Sequence, residues 1–320
     1  MMDTFYFLIQ QTMFFTIPLM VVALGGMFSE RSGVINIALE GIMLMGGFCS
    51  ILFIHLMQDT ISGQFLLILA ILIAMVSGGI FSLLHAYASI HMKADQTISG
   101  TALNLLAPAL AIFMARMIQP SGVQQIPFTN TFRISKIPIL GDIPIIGDLF
   151  FQNTYITTYL GVAVLILGAI FLYKTKFGLR LRACGEHPQA ADAVGVSVYK
   201  MRYAGVILSG MLGGLGGLIF IVTTSTNYNA DVAGYGFLAL AVLIFGQWKP
   251  YRIAGAALFF GFMKTISATY SSIPWLQNLQ ITGYVYKMIP YIATLIVLVF
   301  SSRKSQAPKA EGIPYDQGAR

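Results

Sequence analysis

Apolar residues along this chain come in long blocks, and the polar residues gather in the short intervals between them. An α-helix rises about 1.5 Å per residue, so about 20 mostly apolar residues cross the roughly 30 Å hydrocarbon core of a bilayer. Nine blocks meet or approach that length: about Phe5 to Phe28, Val34 to Met57, Phe65 to Ile90, Thr97 to Met117, Thr154 to Tyr173, Tyr203 to Thr223, Tyr235 to Trp248, Ile253 to Tyr270 and Tyr284 to Ser301. The seventh is so short that it reads as either a broken span or a re-entrant piece. The pattern predicts an all-α, polytopic transmembrane helical bundle of about nine spans. It forms a single domain over residues 1–301, followed by a polar tail, 302–320, that is expected to be disordered.

The intervals set the orientation. The longest polar interruption, Lys174 to Arg202, carries six of the chain's 19 Lys and Arg, and is expected to lie in water on the cytoplasmic side. Arg31 in SERSG, Lys93 in HMKADQ, Lys249 and Arg252 in WKPYR and four residues of the tail join it. An external N-terminus and a cytoplasmic C-terminus therefore place 14 of the 19 basic residues inside. The connection from Gln119 to Asn153 is near neutral and broken by Pro120, Pro127, Pro138 and Pro144, so it is expected outside, without a regular spanning helix. The polar stretch Thr224 to Gly234 and a proline-containing link after Tyr270 are expected outside as well.

Composition agrees: 57% hydrophobic, 10% charged and a mean hydropathy of +0.77 do not suit a soluble domain, in which roughly 25% of residues are charged. The net charge of +7 does not mark a nucleic-acid surface, because the basic residues sit at the ends of apolar runs instead of clustering with aromatics. The start, MMDTFYFLIQQ, has no basic segment of the kind that opens a cleaved signal, so the first block is read as a retained helix. Cys49 lies in an apolar run and Cys184 in the proposed cytoplasmic loop, an arrangement that does not predict a disulfide.

Catalytic chemistry finds little support. There is no HExxH, no GxSxG and no pair of carboxylates on one helix face, and the four histidines (His55, His85, His91, His187) are scattered. The nearest approach to a phosphate-binding loop, Gly261 to Thr265, has Met263 where a glycine is needed and lies inside an apolar helix. No catalytic residue, metal site or bound cofactor is assigned to this chain. Charge at membrane depth is costly and usually faces a cavity or a partner. Glu40 and Lys264 are such charges. Asn36 and Glu40 share a helix face at i and i+4, and with Asn104 they are candidates for a polar translocation pathway; the competing reading is a set of hydrogen bonds between helices. Glycines 210, 213, 214, 216 and 217 are read as permitting close helix packing. GIMLMGGF (Gly41 to Phe48) and GMLGGLGG (Gly210 to Gly217) hint at an internal repeat.

Within the cytoplasmic interruption, GEHPQAADAVGVSV predicts a short helix over about Gln189 to Val194, with Pro188 in its first turn and a stop at Gly195. Its small Ala190 and Ala191 suit a docking element, against the plain alternative of an ordinary loop.

These residues carry a resemblance. SERSGVINIALEGIMLMGGF (Ser29 to Phe48) and GEHPQAADAVGVSV (Gly185 to Val198) resemble the permease subunits of bacterial ABC importers in the ribose and branched-chain amino-acid branch. DQTISGTALNLLA (Asp95 to Ala107) and GYGFLALAVLIFGQWKP (Gly234 to Pro250) add weaker support. The first motif is especially similar to nucleoside and simple-sugar permeases. The resemblance implies a permease without an ATPase site of its own, in a bacterial cytoplasmic membrane. Gly185, Glu186, Pro188, Gln189, Ala190, Ala191, Asp192 and Gly195 then form a coupling helix that docks on a separate ATPase subunit, which holds ATP and Mg. The resemblance also implies an external substrate-binding protein and a second related permease chain, with a homodimer as the alternative. Nucleosides are the expected substrate; ribose, another simple sugar or branched-chain amino acids are the alternatives within the family, and a stand-alone channel or carrier the alternative outside it.

Overall fold

The computed structural model describes residues 2–119, 122–273, 282–301 and 305–318. In chain order the α-helices are α1 (Met2–Arg31), α2 (Leu39–Met57), α3 (Gly63–Ala86, prolonged by a π-helical turn to His91), α4 (Gln96–Ile118), α5 (Ile156–Lys174), α6 (Lys176–Glu186), α7 (Pro188–Ala193), α8 (Val198–Thr224), α9 (Tyr235–Phe245), α10 (Pro250–Thr269) and α11 (Gly283–Ser301). Each of the nine expected blocks holds a helix. Six stretches are long and apolar enough to cross a membrane: Phe5–Arg31, Leu39–Met57, Gly63–His91, Gln96–Ile118, Ile156–Lys174 and Val198–Thr224. The protein is a multi-pass membrane protein.

Lipid chains are as apolar as leucine, so membrane helices associate through close packing and hydrogen bonds instead of hydrophobic burial. Helix α8 shows what that requires. It is enclosed by α1, α2 and α3, and its glycines lie where no side chain fits. A Cβ on Gly214 would stand 2.1 Å from the carbonyl oxygen of Ala74 in α3, and one on Gly217 would stand 1.9 Å from that of Met43 in α2. Gly46 of α2 would meet the Cα of Gly214 at 2.2 Å, so the two glycine-rich segments press backbone to backbone.

The extramembrane ends carry the remaining structure. The 119–153 connection takes part in short antiparallel pairs that the all-α expectation lacked: Ile126–Pro127 with Asn227–Tyr228, and Ile134–Lys136 with Gln152–Thr154. Lys174 to Arg202 is helical for most of its length, and Arg202 is 1% exposed inside α8 instead of lying in water. The tail corrects the expectation of disorder. Residues 305–318 lie against the helices, with Ala310 donating its backbone N–H to Gly185 (2.8 Å) and Gly312 to Gly33 (3.2 Å). The physical reason is Arg202, whose buried guanidinium donates to the carbonyl of Ile313 at 2.9 Å, a bond that water cannot supply there. Most of the proline-containing link after Tyr270 falls outside the described residues, as do Arg303, Lys304 and Arg320 of the tail.

Substitution of Gly217 by valine should lower stability by about 3 kcal/mol or more through overpacking. Gly255→Ala, where a Cβ would meet nothing within 4 Å, should not lower stability and should raise it by at most about 1 kcal/mol. Thermal unfolding of the detergent-purified protein separates the two.

Candidate functional site: two interrupted segments and the α6 to α7 layer

Two segments break the helical pattern between helices. Residues 32–38 lead without helix into α2, and residues 225–234 lead without helix into α9. Helix α9 has only 11 residues, about 16 Å of rise, roughly half of what a core of about 30 Å requires. The stretch Thr224 to Gly234 was expected outside. Asn227–Tyr228 pair with Ile126–Pro127 of the 119–153 connection, and beyond them Ala230 and Val232 are buried while Asp231 and Ala233 are exposed.

Free backbone N–H and C=O groups within a membrane core must find partners within the protein. Glu40 supplies two of them. Its Oε1 accepts from the N–H of Gly234 (2.9 Å) and its Oε2 from that of Gly236 (2.6 Å), so a side chain of α2 caps α9. Asn104 of α4 does the same for α2. Its Oδ1 accepts from Gly41 N–H (2.8 Å), while its Nδ2 donates to the carbonyl of Ile37 (2.9 Å). Ile35 is held by Gln96 Oε1 (2.7 Å) and by a ring nitrogen of His85 on its carbonyl (2.8 Å). Asn36 is fully buried and donates to Ser209 Oγ of α8 at 2.9 Å. The three pathway candidates are thus brought together around the two interruptions, bonded between helices. Lys264 does not pair with Glu40 among the described residues; its Nζ lies 5.7 Å from the centroid of the Tyr235 ring. Sequence reading missed His85, Gln96 and Ser209, single polar residues in apolar helices whose partners are distant in the chain.

Helices α6 and α7 form a layer at one end of the bundle. Pro188 starts α7 and Gly195, with φ of +83°, ends the turn after it, as the spacing predicted. The eight residues proposed for coupling divide by direction. Gly185, Pro188 and Ala191 are buried against this chain, Glu186 and Asp192 are half-buried, and Gln189, Ala190 and Gly195 face outward. Val194, which the sequence reading left out of the site, is 79% exposed beside them. The layer is tied upward: Arg31 of α1 pairs with Glu186 at 3.6 Å, and Ala191 packs with Cys184, Val198 and Tyr315 of the tail. Cys184 and Cys49 are free thiols, and burial pushes the Cys184 thiol up to about 11.

Comparison with known proteins defines the class. The family described as branched-chain amino acid transport system / permease component matches residues 8–298. The chain belongs to that family of ABC transporter permeases. Among individual proteins it is 44% identical to the guanosine ABC transporter permease protein NupQ of Bacillus subtilis, over 98% of this chain and 97% of that one. It is 40% identical to the nucleoside ABC transporter permease protein NupC of Lactococcus lactis, over 98% of each. It is 23% identical to a second permease of that bacterium, the nucleoside ABC transporter permease protein NupB, over 95% of this chain and 82% of that one. No solved structure matches.

Two predictions follow from the geometry. Glu40→Ala leaves two buried N–H groups without acceptors and should cost about 2–4 kcal/mol, read as a lowered unfolding temperature, with Glu40→Gln intermediate. In the tail, burial raises the Glu311 carboxyl to about 7, against the lowering effects of Glu30 and Arg31 beside it. A carboxyl raised in the docked state binds its proton more tightly there, so docking is strongest below the ordinary carboxylate range and weakens as pH rises toward and through about 7. Limited proteolysis should cut the tail faster at pH 8 than at pH 6, and Glu311→Gln should remove the difference.

Proposed function

We propose that this chain is one of the membrane subunits of a bacterial ABC importer for nucleosides. The observation that carries the reading is its likeness, over nearly the full length of both chains, to guanosine and nucleoside permeases. Its helices make about nine spans, with the N-terminus outside and the C-terminus in the cytoplasm. The short α9 completes the alternation. The membrane is the bacterial cytoplasmic membrane.

The transport cycle needs parts that this chain does not supply. A cytoplasmic ATPase holds ATP and Mg; an external binding protein delivers substrate. A second, related permease chain shares the pathway. Support for two different chains comes from Lactococcus lactis, where two nucleoside permeases both resemble this sequence. Closure of the ATPase pair pushes on α7 through Gln189, Ala190 and Val194. The push passes into α1 through the Arg31 to Glu186 pair, and into α8 through the packing of Ala191 on Val198. Rigid-body motion then alternates access to the pathway. Glu40, Asn104 and Asn36 hold the interrupted segments beside that pathway.

Uptake of radiolabelled guanosine, adenosine, ribose and leucine by cells lacking this gene alone tests the substrate. Nucleoside uptake should fall while ribose and leucine uptake persist; the reverse would replace the substrate class. Ala190→Trp and Val194→Asp should each reduce transport at least about tenfold, with the permease still in the membrane, by spoiling one docking face. Gly185→Arg should instead prevent folding, since a Cβ there already lies 2.3 Å from the carbonyl oxygen of Arg31.

A further inference from the structure

A cavity of about 410 Å³ opens between α9, α10 and α11, directly beside the interruption that Glu40 caps. Gly234, Phe237, Leu238, Lys264, Tyr291 and Thr294 are among the residues that line it. Its size falls within the roughly 300–1,000 Å³ of small-molecule sites. A second cavity of about 420 Å³, between α1, α3, α5 and α8, has almost no polar group to orient a ligand. The first one does. Lys264 sends a cation into it from a spanning helix, and among the described residues that cation makes no ion pair; it rests over the ring of Tyr235. A charge at this depth is costly unless it faces a cavity with work for it.

The lining fixes the chemistry of an occupant. Phe237 and Tyr291 are 51% and 63% exposed, so their rings are left open by packing within this chain and offer flat apolar surfaces for a ring to stack on. Lys264 is a donor only. Thr294 already donates its hydroxyl proton to the carbonyl of Pro290 at 2.8 Å, which leaves its oxygen as an acceptor. Among the described lining residues Lys264 is the one charged group and the rest are mostly apolar, so a phosphate dianion would enter only partly neutralised and at a high desolvation cost. A planar heterocycle joined to a hydroxyl-bearing sugar, uncharged overall, meets all of these conditions. We infer that this cavity holds the nucleoside in transit, with its base against Phe237 and Tyr291, an acceptor atom on Lys264 and a hydroxyl donating to Thr294. The inference rests on the nucleoside reading and adds the place and the contacts.

The test uses the permease assembled with its partner subunits in nanodiscs, with Cys49 and Cys184 changed to alanine and Ala241→Cys placed in the cavity wall as a reporter. The maleimide modification rate is measured alone and with guanosine, guanosine monophosphate, ribose or leucine. Guanosine should slow modification about tenfold at saturation, and the monophosphate should not. Lys264→Met should raise the guanosine concentration for half-protection about tenfold or more, with Lys264→Arg close to the parent. No modification at all, as for a lipid-filled cavity, overturns the site, and so does modification that guanosine does not slow although the same complex transports it. Protection by ribose or leucine alone keeps the site and overturns the nucleoside class; equal protection by the monophosphate overturns the contacts assigned to Lys264.

Discussion

Everything in this bundle depends on the backbone-to-backbone contact of α8 with α2 and α3. Glycine-for-methyl exchanges there are not conservative, because the carbonyl oxygens of Ala74 and Met43 occupy the space a Cβ would need. Without a hydrophobic drive between helices in lipid, such close approach and the dispersion contacts it allows bind the helices to one another. The same closeness puts α2 near enough to α9 for one carboxylate to cap the interrupted helix across the gap.

That cap joins rigidity and function. A helix start leaves N–H groups without intrahelical partners, and here Glu40 satisfies two of them from another helix. Asn104 repeats the device at the start of α2. Non-helical backbone can then persist, with a side chain cap behind it and a cavity in front. At the other end, α6, α7 and the tail form one layer fastened to α1 and α8, which under the proposed function is the route by which a push on α7 would reach the helices that enclose the glycine seam.

The sequence made much of this legible, because long apolar blocks and charge asymmetry are direct consequences of the bilayer. The approximate helix positions, the short seventh block and the Pro188 to Gly195 turn read correctly from local chemistry, but Asn36, expected on one helix face with Glu40, lies in the non-helical stretch before α2. What stayed hidden was nonlocal. Arg202 looked like one more cytoplasmic cation, since nothing near it in the chain reveals that Ile313 will bond it inside the fold. The tail looked disordered for the same reason: its composition is polar, and its partners lie more than 100 residues away. Glu40, Asn36 and Asn104 were recognisable as unusual, but their hydrogen-bonding role depends on which carbonyls and N–H groups the two interruptions leave free. Lys264 stood out as a charge within an apolar block, while its cavity needs three helices that sequence cannot assemble.

The most direct measurement is guanosine accumulation in proteoliposomes holding this chain with its related permease, the ATPase and the binding protein. Accumulation against a gradient that requires ATP and every one of these parts is the predicted result. Guanosine flux through this chain without the ATPase, or ATP-driven uptake of ribose or leucine with none of guanosine, would contradict the account.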